Sequence, residues 1–213
     1  MSKKVNKDRG YWQTEKPFHK TDVGLKKELV NFCHTKDIDS VVDFGCGDAS
    51  YIRHIFNTKD LEYCDAYDGN PNVAKISDGF GKQQDLSVSF DLEKKFDLVL
   101  SLEVAEHIPK KYEIIYVSNL LNHCKKHLII SWAIMGQGGT GHFNEQNNDY
   151  VVNLFSSHGF TFDELETQKL RRSVSRLHWF RSSLLYFNLT TASKDKGASI
   201  HLLHHNHLLD PQR

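Results

Sequence analysis

At 213 residues, with 39% hydrophobic and 25% charged side chains, the chain has the apolar content of one folded domain, and disorder is not its default. Lysine plus arginine equals aspartate plus glutamate at 27 each, so no global field gathers nucleic acid or an anionic membrane, and such a partner needs a local patch. No apolar run approaches the ~18–20 residues of a membrane span, the opening residues are polar and lysine-rich, and Cys33, Cys46, Cys64 and Cys124 form no CxxC pair; a cytoplasmic protein with reduced thiols and no membrane partner is expected.

Residues 1–20 read as a polar lead and a candidate cover for an active site. Residues 21–34 carry Val23, Leu25, Leu29, Val30 and Phe32 at spacings that suit an amphipathic helix. Residues 40–45 are a short β-branched run that predicts a buried strand; residues 51–56 follow as a helix, 63–67 as a strand, and Phe96–Ser101 as another strand. Residues 112–124 have a helical rhythm, 126–132 predict a strand, 147–157 a helix, and Leu184–Leu189 a late strand. This alternation predicts an α/β domain over residues 21–190 with a doubly wound parallel sheet, whose ligands sit beyond the C-terminal ends of the strands. Residues 191–213 form a His-rich tail, read as a flexible end in which Ile200, Leu202 and Leu203 offer some packing.

The chemistry starts at Asp43. Gly45-Cys46-Gly47 follows the first buried strand and precedes a helix, so the backbone can turn sharply and approach a ligand without a Cβ in the way. The pattern is Asp-x-Gly-x-Gly. It lacks the third glycine of a dinucleotide fingerprint and has no Walker lysine, which suits S-adenosylmethionine (SAM), a cofactor without phosphates. Asp68 ends the second strand, where a carboxylate can accept both ribose hydroxyls of an adenosine, with Gly69 and Asn70 behind it. Asp85 and Leu86 precede the next long strand, placing an acid for the adenine amino group beside an aliphatic cover. The expected cofactor set is Asp43, Gly45, Cys46, Gly47, Asp68, Gly69, Asn70, Asp85, Leu86 and Ser101.

Residues 40–135 resemble the class I SAM-dependent methyltransferases, with residues 41–47 matching their first motif, Asp68 their ribose-binding acid, Asp85 their adenine-side acid, and residues 96–107 the motif after the fourth strand. The resemblance implies a Rossmann-like, mostly parallel seven-stranded sheet with helices on both faces, and methyl transfer from SAM.

The fourth strand runs into Leu102-Glu103-Val104-Ala105-Glu106-His107, which puts two carboxylates and an imidazole at the C-terminal edge of the sheet. As one helical turn, Glu103, Glu106 and His107 share a face. The glycine-rich residues 136–141 return His142 to the same edge. Oxygen and neutral imidazole donors suit Mg²⁺, Mn²⁺ or Co²⁺ rather than a closed thiolate zinc site. This Glu-x-x-Glu-His with a later His is similar to the metal site of plant small-RNA 2'-O-methyltransferases, and its first three members to that of ubiquinone-pathway O-methyltransferases. The resemblance implies a metal held by Glu103, Glu106, His107 and His142. In many metal-free class I enzymes an equivalent Glu-His caps a helix and lines the pocket, so Glu103, His107 and His142 are equally catalytic candidates, with either histidine as general base.

For the acceptor, a metal that chelates two oxygens matches a vicinal diol in a sugar, the 3' end of RNA or a catechol. Lys169, Arg171, Arg172, Arg176 and Arg181, interleaved with His178, Trp179 and Phe180, offer a patch for RNA, though a solvated helix face accounts for it equally simply and the neutral chain favours that account. Tyr11, Trp12 and Trp132 would stack on a sugar, and Asn144, Gln146 and Asn147 would bond its hydroxyls. Gly10-Tyr11-Trp12 with His19, Asp48-Ala49-Ser50-Tyr51 and Gly141-His142-Phe143-Asn144 resemble a small group of class I enzymes of algal large DNA viruses and nematodes. That resemblance, of chlorovirus type, implies a viral protein of the host cytoplasm that methylates a glycan sugar such as terminal rhamnose. The competing expectations are RNA ribose methylation, a catechol-type O-methyltransferase, and an inactive SAM-binding partner module.

Overall fold

A computed structural model describes residues 4–16 and 20–189. The His-rich tail and His19 lie outside the described residues. Strands with both faces covered read as largely apolar runs, and two such runs form the middle of the sheet: β3 (Ser40–Phe44) and β6 (Phe96–Ser101), each with two polar residues, are buried along their whole length. Around them, in chain order, stand β1 (Lys4–Val5), β2 (Trp12–Gln13), α1 (Val23–Thr35), then after β3 α2 (Ser50–Thr58), β4 (Tyr63–Asp68), α3 (Val73–Ile76) and β5 (Lys82–Gln83). After β6 come two 3-10 turns (Ala105–His107 and Lys110–Tyr112), α4 (Glu113–His123), β7 (Cys124–Ser131), α5 (Asn148–Ser156), β8 (Phe160–Phe162), α6 (Glu164–Ser173), α7 (Phe180–Ser183) and β9 (Leu184–Leu189).

The seven-stranded sheet has the order β5-β4-β3-β6-β7-β9-β8. The pairs from β5 to β7 are parallel, and β9 runs antiparallel to both β7 and β8. This is the expected mostly parallel, doubly wound α/β sheet. Side chains alternate between its faces: Val41, Leu98, Leu100 and Ile129 pack with Leu25 and Leu29 of α1 and Ile52 of α2. Val42, Phe44, Val99 and Ile130 pack with Tyr116 and Leu120 of α4 and Phe155 of α5 on the other face. Connections leave β3 toward one edge and β6 toward the other, so the crevice of the topological switch lies between the ends of β3 and β6.

One buried carboxylate fastens the start of α1 to the segment after α6. Asp22 has no exposed surface, caps the helix by accepting from Leu25 N at 2.9 Å, and also accepts from the backbone amides of Ser175, Arg176 and Leu177 at 3.0, 2.6 and 2.9 Å. No helix among the described residues is long and apolar enough to cross a membrane.

Candidate active site

The first wall of the crevice is the loop after β3. Gly45 and Gly47 have φ of +90° and +56°, and a Cβ at Gly45 would lie 2.1 Å from Val104 Cγ2, so this position needs glycine for both conformation and space. The Tyr67 carbonyl accepts from Gly45 N at 2.7 Å and Cys46 N at 3.0 Å, and Asp68 Oδ2 accepts from Gly47 N at 2.9 Å. Asp68 Oδ1 accepts from Asn70 N at 2.8 Å, so the carboxylate at the end of β4 is aimed by two backbone donors. Asp43 is buried beneath the loop; burial first, then the charges of Asp68 and Asp48, push its carboxyl up to about 8. The charges of Asp68 and Asp48 at the glycine loop, with Asp43 beneath able to give up its proton as a cation arrives, favour a cationic ligand over a phosphate.

The second wall carries Asp85, the acid expected on the adenine side. Asp85 Oδ1 accepts from Ser87 N at 2.8 Å and Ser87 Oγ at 2.7 Å, while Oδ2 lies 4.0 Å from Arg9 Nε. Arg9 belongs to the hairpin of β1 and β2, which folds across the crevice. A Cβ on Gly10 would stand 2.1 Å from the His107 carbonyl oxygen, one on Gly69 would stand 2.5 Å from Tyr11 Cβ, and Trp12 meets the His107 ring edge-on at 5.6 Å. Arg9, Tyr11 and Trp12 thus share a pocket with Gly45, Asp68, Asp85, Leu86, Glu103 and His107. The space left is about 50 Å³, well under the ~300 Å³ of small-molecule sites.

The third wall follows β6. The expected shared helical face for Glu103, Glu106 and His107 does not form: Glu103 is left-handed at φ +59°, and the 3-10 turn starts only at Ala105. Glu103 is held instead by Ser131, whose Oγ accepts from Glu103 N at 2.7 Å and donates to Oε1 at 2.8 Å, and by the Trp179 side chain. Burial outweighs these donors and pushes Glu103 up to about 7. Glu106, His107 and His142 do come together, with ligand atoms all within 4.8 Å of one another; Glu103 is outside that group. Glu106 has no exposed surface, and among the described residues neither carboxylate oxygen has a hydrogen-bond partner. The Glu106 and Ala133 amides act on it without reaching hydrogen-bond geometry, while burial and then Glu103 push its carboxyl well above the usual range.

Both imidazoles are oriented through Nδ1. His107 Nδ1 lies 2.8 Å from the Gly141 carbonyl and His142 Nδ1 lies 2.8 Å from Glu145 Oε1; those oxygens only accept, so each Nδ1 carries a proton and leaves Nε2 as the ring atom that could meet a ligand. Glu145 also accepts from Gly136 N at 2.8 Å and Gly138 N at 2.7 Å, so one carboxylate shapes the glycine loop and aims its histidine. A buried orphan carboxylate facing two imidazoles with fixed outer partners fits a divalent cation.

Several expected roles shift. Ser101 is fully buried, with its hydroxyl on the Phe44 carbonyl at 2.7 Å and at the Tyr116 hydroxyl at 2.8 Å, so its side chain does not serve the cofactor. Trp132 has no exposed surface and Asn144 is 5% exposed, with its amide on Glu113 Oε2 at 2.8 Å, so neither meets a sugar. Arg171 bonds the Leu184 and Ser182 carbonyls and Arg181 the Val174 carbonyl, so these two cations hold their own chain. Sequence reading missed Arg9, Ser131 and Glu145, and gave Trp179 a place in a patch for RNA rather than beside Glu103. Only Glu145 had a local signal, a carboxylate three residues after the histidine that ends a glycine run.

The strand order, with a glycine loop after the first parallel strand and an acid after the second, is a Rossmann-like methyltransferase fold. The chain is similar to the methyltransferase domain of a bacterial Hen1, CtHen1-C, with a TM-score of 0.58 and 15% identity over 77% of this chain and 96% of that one. It is similar to magnesium protoporphyrin IX methyltransferase of Synechocystis PCC 6803 with bound SAH (TM-score 0.57, 17% identity, 79% and 84% covered). It is also similar to CalS10, an amino pentose methyltransferase of Micromonospora echinaspora (TM-score 0.58, 12% identity, 78% and 90% covered). At these identities the likeness is one of fold. No protein-family model matches the sequence, and no curated protein matches it.

Proposed function

We propose that the chain is a SAM-dependent O-methyltransferase that modifies a sugar hydroxyl of a glycan, such as a terminal deoxyhexose, with help from a divalent metal. The observation that carries the cofactor reading is the acidic surround of the glycine loop: Asp48 and Asp68, with the raised Asp43 carboxyl beneath them ready to ionise beside a cation, suit a sulfonium and an ammonium, and the two charges oppose a dinucleotide pyrophosphate. SAM supplies the methyl group as an electrophile. Asp68, aimed by Gly47 and Asn70, takes the ribose hydroxyls; Asp85 and Leu86 take the adenine side. The hairpin bearing Arg9, Tyr11 and Trp12 covers this pocket and opens to admit the ligand, since about 50 Å³ does not hold it.

Glu106, His107 and His142 would hold the cation, which when bound supplies Lewis acidity toward the acceptor oxygens. Glu103 stands apart from that group inside the cofactor pocket, where it receives or relays the hydroxyl proton. The diol of a sugar matches such a site, and half-buried Tyr11 and Trp12 at the pocket offer stacking surfaces. The likeness to an amino pentose methyltransferase supports a sugar acceptor.

The test is methyl transfer from labelled SAM to mono- and oligosaccharides, short RNAs and catechols, each with chelator and with added Mn²⁺, Mg²⁺ or Co²⁺. Transfer to sugars, abolished by chelator and restored by metal, is expected. Transfer confined to RNA or catechols overturns the sugar acceptor, and a rate indifferent to chelator leaves His107 or His142 to act unaided.

A further inference from the structure

Outside the cofactor pocket, the turn of the N-terminal hairpin and the loop that carries His142 bound an open cleft of about 660 Å³. We propose that this cleft is a subsite for a second, non-reacting sugar unit, so that the acceptor is an oligosaccharide rather than a free monosaccharide. The proposal rests on the sugar-acceptor reading and adds to it a place for the neighbouring unit.

Position comes first. Gly141 lines the cleft, and its carbonyl holds His107 Nδ1 at 2.8 Å, while the His107 ring lines the cofactor pocket. One residue of wall therefore separates the cleft from the Glu106, His107 and His142 cluster, and a unit seated there sits next to the reacting one. Chemistry comes second. Gln13 and Thr140 give the walls an amide and a hydroxyl, which pair with sugar hydroxyls in either donor sense, while Asn6, whose Oδ1 holds Asp8 N and Arg9 N at 3.1 Å, adds its amide nitrogen as a donor. Phe143, 41% exposed, is a large apolar ring left facing solvent at the cleft, a surface on which a pyranose face stacks. Charge comes third. The ionised groups of the lining are Lys7 and Asp8, one of each sign, so a phosphodiester chain gains no surplus of cations here and a neutral polyol meets no unbalanced charge. The volume falls within the ~300–1,000 Å³ of small-ligand sites. Seating the non-reacting unit holds the terminal hydroxyl in place, which converts remote binding into rate.

The experiment compares labelled methyl transfer to a monosaccharide with that to di- and trisaccharides ending in the same sugar. In the wild type, kcat/KM is expected to rise at least tenfold from mono- to disaccharide. Phe143→Ala and, separately, Gln13→Ala are expected to cut that disaccharide-to-monosaccharide ratio by about tenfold; the wild-type series needs no variant to fold. Sugars methylated with no dependence on length, or a ratio unchanged in both variants, overturn the subsite and leave the sugar reading intact. Transfer to RNA with none to any sugar overturns both.

Discussion

A carboxylate with no exposed surface and no hydrogen-bond partner loses several kcal/mol of solvation if it stays ionised, so Glu106 is either protonated or paired with a cation. The two states predict different behaviour for Glu106→Gln, which keeps shape and removes charge. If the group holds a metal, Mn²⁺ affinity measured by calorimetry falls at least tenfold in the variant. If Glu106 is only a neutral buried acid, Mn²⁺ affinity does not change and the melting temperature stays level or rises. The grouping of Glu106, His107 and His142 was legible because residue type and a glycine run that turns back onto the sheet edge carry that information. The exclusion of Glu103 was not, since a glutamate at φ +59° is stabilised by Ser131 and Trp179, partners far away in sequence. For the same reason Ser101 looked like a ligand contact until its hydroxyl was found spent on Phe44 and Tyr116.

At the scale of elements, the junction of α1 with residues 175–177 centres on Asp22, with Gly24 N donating to Ser175 Oγ at 3.2 Å beside it. Burial alone would raise the Asp22 pKa, but four backbone amides outweigh it and hold the carboxyl below its ordinary range. Asp22→Asn turns an amide group toward donors that need an acceptor, and the loss at pH 7 is expected to be on the order of 3 kcal/mol. For a domain of this size that is ~6–12 °C in Tm. The sign with pH follows from a lowered folded value: the contribution is complete above the unfolded pKa of ~3.9 and is lost as pH falls toward the folded one. Thermal melts at pH 7 and pH 3 should therefore show the gap between wild type and Asp22→Asn shrinking in acid; an equal gap at both would mean that charge is not what Asp22 contributes. The long apolar elements β3, β6 and β9 were legible from composition. By contrast the bounds of α6 were not legible, and its basic residues were read as an RNA patch or a solvated helix face, because Thr167 and Leu170 are too narrow an apolar stripe to stand out, although Asp163 accepting from Glu166 N at 2.9 Å is a helix start written in the sequence. The strands β1, β2, β5 and β8 are two or three residues long, and their pairing partners, not their own residues, make them strands.

For the whole molecule, the doubly wound order and the placement of the site at the C-terminal edge followed from alternating periodicity; a cover was expected of residues 1–20, but its form as a hairpin was not legible, since its contacts with Gly69, Asp85 and His107 are all long-range. The candidate cofactor pocket joins that hairpin to β3, β4 and the segment after β6, so a ligand bound there ties four parts of the chain together and stabilises the native state as a unit. S-adenosylhomocysteine, the demethylated product of SAM, at a hundred times its Kd should add ~2.7 kcal/mol to stability. In a domain of this length that becomes ~5–10 °C in Tm. NAD⁺, which carries an adenosine and a pyrophosphate, should give no shift at the same concentration, because the charges of Asp48 and Asp68 oppose its phosphates. Differential scanning calorimetry with each ligand separates the cases. A shift with NAD⁺ and none with S-adenosylhomocysteine would sink the methyl-donor reading, since the same glycine loop and Asp68 would then be serving a dinucleotide.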